Sequence, residues 1–109
     1  MYDLFMTSFP KPRRQVNRAL LDTYHEMRCI ICNRLGSDPH HLISVKAGGP
    51  DSKFNVVALC RIHHQQIHMI GLVSFSFKYP EVYNWLLAHG WTYDETRLKW
   101  YMPKNGVSE

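Results

Sequence analysis

The stretch Cys29-Ile30-Ile31-Cys32, answered downstream by Cys60-Arg61-Ile62-His63-His64, decides how this chain folds. The first is a C-x-x-C pair and the second contains a C-x-x-H pair. In each, a tight turn or first helical turn aims two side chains at one centre. Separated by the 27 residues 33–59, the pairs supply three sulfurs and one imidazole, a tetrahedral donor set suited to Zn2+. With all four positions filled by protein, such a site is closed to water and its role is structural. A lone C-x-x-C is a weak signal, whereas two matched pairs that use every cysteine in the chain are a strong one. The rival readings are three buried free cysteines acting as small apolar groups, or redox use of Cys29 and Cys32, which leaves Cys60 and His63 without a purpose.

The rest of the composition fits a small metal-stabilised domain. The chain has 109 residues, 3 Cys and 7 His, with 45% hydrophobic and 20% charged residues. That is neither a disordered tail nor a membrane protein. One domain of this size has a modest core, and a bound metal would add to its stability. The odd cysteine count argues against a closed disulfide framework and for a reducing, cytoplasmic setting. Residues 1–6 lack the basic and apolar regions of a secretory signal. The net charge is +4, and Lys11, Arg13, Arg14 and Arg18 supply that much within eight residues free of acid. Such an arm suits a polyanion, most simply nucleic acid, or is a solvated segment that aids solubility.

A second set of histidines lies around the first. His64 and His68 are four apart, and so share one face of a helix, while His63 turns away toward Cys60. One helix thus serves two centres. His40 and His41 are adjacent; on a strand they would point oppositely, but at a strand end or bulge both can reach one pocket. Three imidazoles, His40, His64 and His68, can hold a divalent ion with open positions. His41 then remains as a base, with an ordinary pKa of ~6.5 suited to proton transfer near neutrality. A single histidine is more often a surface or core-edge residue; four at this spacing beside a zinc-type ligand set are not so easily dismissed.

The chain divides into a basic irregular arm over 1–14, a helix over 15–27, a core over 28–70 and an extension over 71–102. Pro10 and Pro12 disfavour helix in the arm. Val16, Ala19, Leu20, Tyr24 and Met27 have helical spacing. The run 40–45 reads as a short strand, 47–51 as a loop, and 61–70 as a helix closed by Gly71. Val73, Phe75 and Phe77 alternate with serines, a strand-like period. Pro80 opens a helix that Gly90 ends, and 91–93 pairs with 98–101 as a hairpin. Trp85, Trp91 and Trp100 read as core rather than as base-stacking platforms.

These residues carry a family resemblance. Cys29-x-x-Cys32, His40-His41-Leu42-Ile43, Gly48-Gly49-Pro50-Asp51, Asn55, Leu59-Cys60-Arg61-x-His63-His64 and His68, covering about residues 28–68, resemble the HNH endonucleases, in particular small phage and prophage members. The resemblance implies an α+β fold: a ββα-metal (His-Me finger) motif on a structural zinc knuckle, with an amino-terminal helix and a small carboxy-terminal extension. It implies that His41 is the general base and that Asn55 holds the inter-strand loop and helps orient His41. It also implies that His40, His64 and His68 ligate the catalytic ion. Position 40 commonly holds Asp in the family; His there shifts the preference toward Mn2+, Ni2+ or Zn2+, with Mg2+ still open. Position 63 commonly holds Cys, and zinc accepts His in its place.

The implied activity is one-metal, in-line hydrolysis of phosphodiesters in double-stranded DNA, leaving a 5′ phosphate and a 3′ hydroxyl. Lys11, Arg13, Arg14, Arg18, Lys46, Lys53 and Arg61 are the candidate phosphate contacts. The rivals are a non-catalytic zinc module that binds nucleic acid, and a nuclease subunit of a phage packaging or recombination machine. Strand outcome, sequence preference and oligomeric state, whether a homodimer or a complex with a phage protein, stay open.

Overall fold

A computed structural model describes residues 14–104. It is a small α+β fold with three helices and two two-stranded antiparallel sheets. A short helix α1 (Arg18–Thr23) runs into a single 3-10 turn, Tyr24–Glu26. Strands β1 (Asp38–His41) and β2 (Val56–Leu59) then pair, with His40 opposite Val57 and His41 opposite Val56. Helix α2 (Arg61–Lys78) follows directly, then α3 (Pro80–Ala88) and a closing hairpin of β3 (Thr92–Asp94) and β4 (Lys99–Tyr101).

Strand β2 is the centre of the packing, all four of its residues being buried. Because side chains alternate across a strand, it serves two clusters. Val57 and Leu59 join Cys29, Ile67, Phe75, Val82, Leu86, Trp91 and Trp100 in the main core. Val56 and Ala58 face Tyr24 with Leu20 and Leu21 on the other side, where the Tyr24 hydroxyl donates to the Val56 carbonyl at 2.9 Å. Each large apolar side chain buried in this way contributes roughly 1.5–3 kcal/mol. Both core indoles have acceptors: Trp91 Nε1 donates to the Phe54 carbonyl and Trp100 Nε1 to Ser76 Oγ. The carboxy-terminal tryptophans are thus core, as their sequence context suggests, and Trp85 is packed against the same cluster.

Three sequence expectations need correction. The helix expected over 15–27 is only six residues long plus the 3-10 turn. Residues before it are held extended, since the Asp51 amide donates to the Gln15 carbonyl and the Asn17 amide donates to Asp51 Oδ2. Asn17 then caps α1 by accepting from the Leu20 amide. The strand expected over 40–45 instead spans Asp38–His41, because the Asn55 side chain clasps Ile43 and turns the chain away. The alternating run 73–77 is helical, not a strand. Phe75 enters the core, Phe77 stays exposed, and Ser76 Oγ donates to the Val73 carbonyl; tertiary burial of Phe75 overrides the local period.

Gly71 does close the first helical stretch, but by a bend rather than a stop. Its φ of 84° and ψ of 165° interrupt α2, which resumes immediately. That backbone region is essentially open to glycine only. A Cβ there would meet nothing within 4 Å, so the cost of a side chain is purely conformational. Gly71→Ala is expected to lower stability by about 1–3 kcal/mol, read from the shift of the denaturant unfolding midpoint at unchanged slope.

Candidate metal and catalytic site

The segment 28–35 folds back on itself. The Cys29 amide donates to the Arg34 carbonyl, the Asn33 amide to the Cys29 carbonyl, and Arg28 bridges Leu35. Asn33 takes a left-handed φ of 64° to make the turn. This loop delivers Cys29 and Cys32 against the start of α2, where Cys60 is the N-cap residue and His63 lies in the first turn.

Cys32 Sγ is 3.7 Å from Cys60 Sγ, and His63 Nδ1 is 3.3 Å from Cys60 Sγ and 3.6 Å from Cys29 Sγ. All four donor atoms lie within 4.8 Å of one another. A regular tetrahedron with Zn–S bonds of ~2.3 Å has sulfur–sulfur edges of about 3.8 Å, close to the three separations of 3.3 to 3.7 Å, so the donor set is compatible with a zinc-sized ion. Burial raises the Cys29 thiol, but backbone N–H groups of Cys32, Cys60 and Ile31 outweigh it and draw the pKa below its ordinary value. Burial, with Arg34 and Lys78 nearby, lowers the His63 pKa against the opposing pull of Glu81. The neighbouring Cys32 thiol is pushed the other way: the Arg34 N–H lowers it, but burial and the Cys60 and Cys29 sulfurs outweigh that and raise it. The forms that bind metal are a thiolate and a neutral imidazole. The cluster can hold a metal ion.

The next residue on α2 faces another way. His40, His64 and His68 form a second group of donors within 4.8 Å, their ring centroids 4.8 to 5.0 Å apart. His64 Nε2 and His68 Nε2 stand 3.2 Å apart, close to the edge of about 3.3 Å expected when two imidazoles share an ion at ~2.0–2.1 Å in tetrahedral geometry. His64 Nδ1 lies 3.4 Å from Asp38 Oδ2, and a carboxylate can only accept, so His64 carries its proton on Nδ1 and turns the Nε2 lone pair toward His68. Burial first, then the positive fields of His64, His68 and His41, push the His40 pKa down to about 3. His40 is therefore neutral near pH 7, with a lone pair to give.

His41 shares the same cleft, about 210 Å3 in volume and lined by His40, His41, Ser44, Val45, His64 and His68. Both histidines reach it because they are the last two residues of β1. His41 Nε2 lies 2.7 Å from Asp51 Oδ1. Asp51 is 1% exposed. Burial pushes its pKa upward, but bonds from Arg14 Nη1, the Asn17 amide and His41 overcome this and hold it at about 2. An ionised carboxylate makes His41 Nε2 the donor, which leaves Nδ1 as the basic nitrogen of the neutral ring.

Asn55, fully buried, ties the loop between the strands. Its Oδ1 accepts from the Ile43 amide at 2.8 Å, and its Nδ2 donates to the Ile43 and Pro50 carbonyls at 3.0 Å each. Its own carbonyl accepts from the Leu42 amide, next to His41. Gly49 is required here, since a Cβ would fall on the Ile43 carbonyl.

The candidate phosphate contacts fare unevenly. Lys11 and Arg13 lie outside the described residues. Arg14 is half-buried, its guanidinium bonded to Asp51 at 2.7 Å and to the Gly49 carbonyl, so it is engaged with the loop. Arg18, Lys46, Lys53 and Arg61 are exposed; Arg61 Nε reaches Asp38 Oδ2 at 3.0 Å, and Lys53 Nζ sits over the Phe54 ring. Sequence reasoning assigned no role to Asp38 and read Asp51 only as a loop residue. Asp38 had a signal, being two residues before His40 and so on the same strand face. Asp51 had none, because its partners Arg14 and His41 are 37 and 10 residues away.

Among the described residues no helix is long and apolar enough to cross a membrane. No solved structure matches the chain. It is 37% identical over 73 residues to the uncharacterized protein YdfU of Escherichia coli (strain K12), a match covering 64% of this chain. The chain spans only about a fifth, 21%, of that relative's length. A family profile matches residues 3–86, so the chain belongs to the family described as protein of unknown function (DUF968).

Proposed function

We propose that this chain is a metal-dependent endonuclease of HNH type that hydrolyses DNA phosphodiesters, with His41 as general base. The observation that carries the reading is the meeting, in one cleft, of the His40–His64–His68 group with a fourth imidazole anchored separately by Asp51. A zinc module that only binds nucleic acid needs Cys29, Cys32, Cys60 and His63 and gives no account of the other four histidines. The order of two antiparallel strands followed by a helix, with a Cys/His cluster at the helix start, supports the HNH resemblance.

In this reading Cys29, Cys32, Cys60 and His63 hold a structural zinc, and His40, His64 and His68 hold the catalytic divalent ion (Mg2+, Mn2+, Ni2+ or Zn2+). That ion, when bound, supplies neutralisation of the charge that develops on the phosphate and leaving oxygens. His41 Nδ1 takes a proton from the attacking water, and Asp51 fixes the ring and balances the imidazolium that results. Asp38 orients His64 from behind. Asn55 keeps the loop closed so that His41 and Asp51 stay in register. Arg18, Lys46, Lys53 and Arg61, with Lys11 and Arg13, supply sequence-independent phosphate affinity. A role as the nuclease part of a larger assembly, such as a phage packaging or recombination machine, draws on one fact: in YdfU the matching stretch is embedded in a much longer chain.

Supercoiled plasmid incubated with the protein and each of the four ions in turn tests the reading. Nicked or linear product is expected with at least one ion and is expected to disappear in His64→Ala. Intact plasmid with all four ions overturns it.

A further inference from the structure

The far end of the molecule carries a site that this chemistry does not use. Phe77, Tyr83, Tyr93, Glu95 and Leu98 line a cleft of about 340 Å3 between the end of α2, α3 and the β3–β4 hairpin. Three of these five lining residues are aromatic. The Phe77 ring lies 5.2 Å from Tyr93 and 5.8 Å from Tyr83, and both tyrosines lean on the buried Trp100 indole at 5.2 and 5.4 Å. Phe77 is 56% exposed.

Two features of the hairpin turn bear on this cleft. Asp94 serves the turn, accepting from the Thr96 and Arg97 amides and pairing with Arg97 at 3.9 Å. Arg97 also bonds Tyr101. Glu95, by contrast, has no hydrogen bond or ion pair among the described residues, although it lines the cleft. Leu98 holds a left-handed φ of 54°, a conformation that favours glycine or asparagine and penalises a bulky side chain. Yet its apolar side chain is 66% exposed. The positive φ closes the hairpin turn, while the exposed leucine on it offers an apolar surface at the mouth of the cleft.

Aromatic faces attract cations through their quadrupole, and an uncommitted carboxylate adds a counter-charge. One carboxylate supplies too few oxygens for a bare Ca2+ or Mg2+. A neutral apolar occupant would bury Glu95 unpaired, at a penalty. A guanidinium meets every demand: its plane stacks on rings, its N–H fork bonds a carboxylate, and its aliphatic stem covers a leucine. We propose that this cleft is a docking site for an arginine side chain presented by a partner protein. Phe77, Tyr83 and Tyr93 are its stacking faces, Glu95 is its counter-ion, and Leu98 packs on its stem.

The test is a 15N NMR titration of the full chain with N-acetyl-arginine amide, and in parallel with its neutral isostere N-acetyl-citrulline amide. Saturable shifts are expected at the Trp100 indole N–H and the Glu95 and Leu98 amides with the arginine probe. Binding is expected to weaken about tenfold in Glu95→Gln and with the citrulline probe, the loss of one charge-assisted, ring-stacked contact. Leu98→Gly separates structure from recognition: its thermal midpoint is expected to hold or rise as the strain is relieved, while binding weakens. Equal response to both probes, shifts that do not saturate, shifts confined to other acidic residues, or a Leu98→Gly protein that binds as well as the parent overturns the proposal. None of these readouts depends on nuclease activity.

Discussion

Stripping metal from the Cys29–Cys32–Cys60–His63 cluster is expected to abolish cooperative unfolding altogether. On the zinc reading, a structural site of this type contributes roughly 10–16 kcal/mol of apparent binding free energy near pH 7. The whole net stability of a small domain is only about 5–15 kcal/mol. The metal term is therefore as large as everything that remains after burial and chain entropy have cancelled. The location of the cluster makes the effect global. Cys29 and Cys60 are themselves members of the main core, Cys60 begins α2, and the 28–35 loop is joined to β2 by the bond from the Ile30 amide to the Ala58 carbonyl. Purified protein is expected to contain about one zinc per chain for this site by elemental analysis. Treatment with a strong chelator, or Cys60→Ser, is expected to erase the thermal transition followed by circular dichroism. A chelated, zinc-free protein that melts as sharply as the untreated one would show that the four donors are merely packed together.

Replacing His41 by alanine is the second large effect, and it falls on rate rather than on stability. A positioned general base contributes about 10²–10⁴-fold, so on the nuclease reading plasmid cleavage by His41→Ala should fall by that factor. Folding should survive. His41 sits at the end of β1, and Asp51 keeps its bonds to Arg14 and the Asn17 amide when the imidazole is gone. The His40–His64–His68 group does not include His41, so metal affinity at that group should be retained. The informative result is thus a protein with parental melting and metal content but lost cleavage. His41→Ala cutting plasmid at the parental rate would remove His41 from the chemistry and return the cleft to a binding role.

The two Cys/His pairs and the split of α2 into two donor faces were legible in the sequence because both depend on spacing alone. Residues three apart across a turn, and residues four apart along a helix, meet whatever the rest of the chain does. The closing hairpin and the Pro80 helix start were readable for the same local reason. The strand expected at 73–77 failed because alternation is only a statement about local faces. Phe75 is buried from a helix because Leu86, Val82 and Trp100 surround the place it occupies. The shortening of α1 and the site role of Asp51 were out of reach, since they arise from one loop meeting a segment more than 30 residues earlier. Arg14 shows the limit most clearly. Its neighbours in sequence place it in a basic stripe, while its neighbour in space is a buried acid.

That shared acid has an electrical consequence. Asp51 brings one negative charge to a nearly water-free spot, and Arg14 matches it with one permanent positive charge. With His41 neutral the trio sums to zero, and with a proton on His41 it sums to +1. On the proposed reading, the cleft is thus uncharged at this corner before reaction and briefly cationic when an anionic phosphate most needs a counter-charge. The seat of Arg14 and the poise of His41 are then two ends of one equilibrium, so whatever pulls the basic segment from the loop must also perturb the base, and whatever steadies the base must tighten the segment's hold.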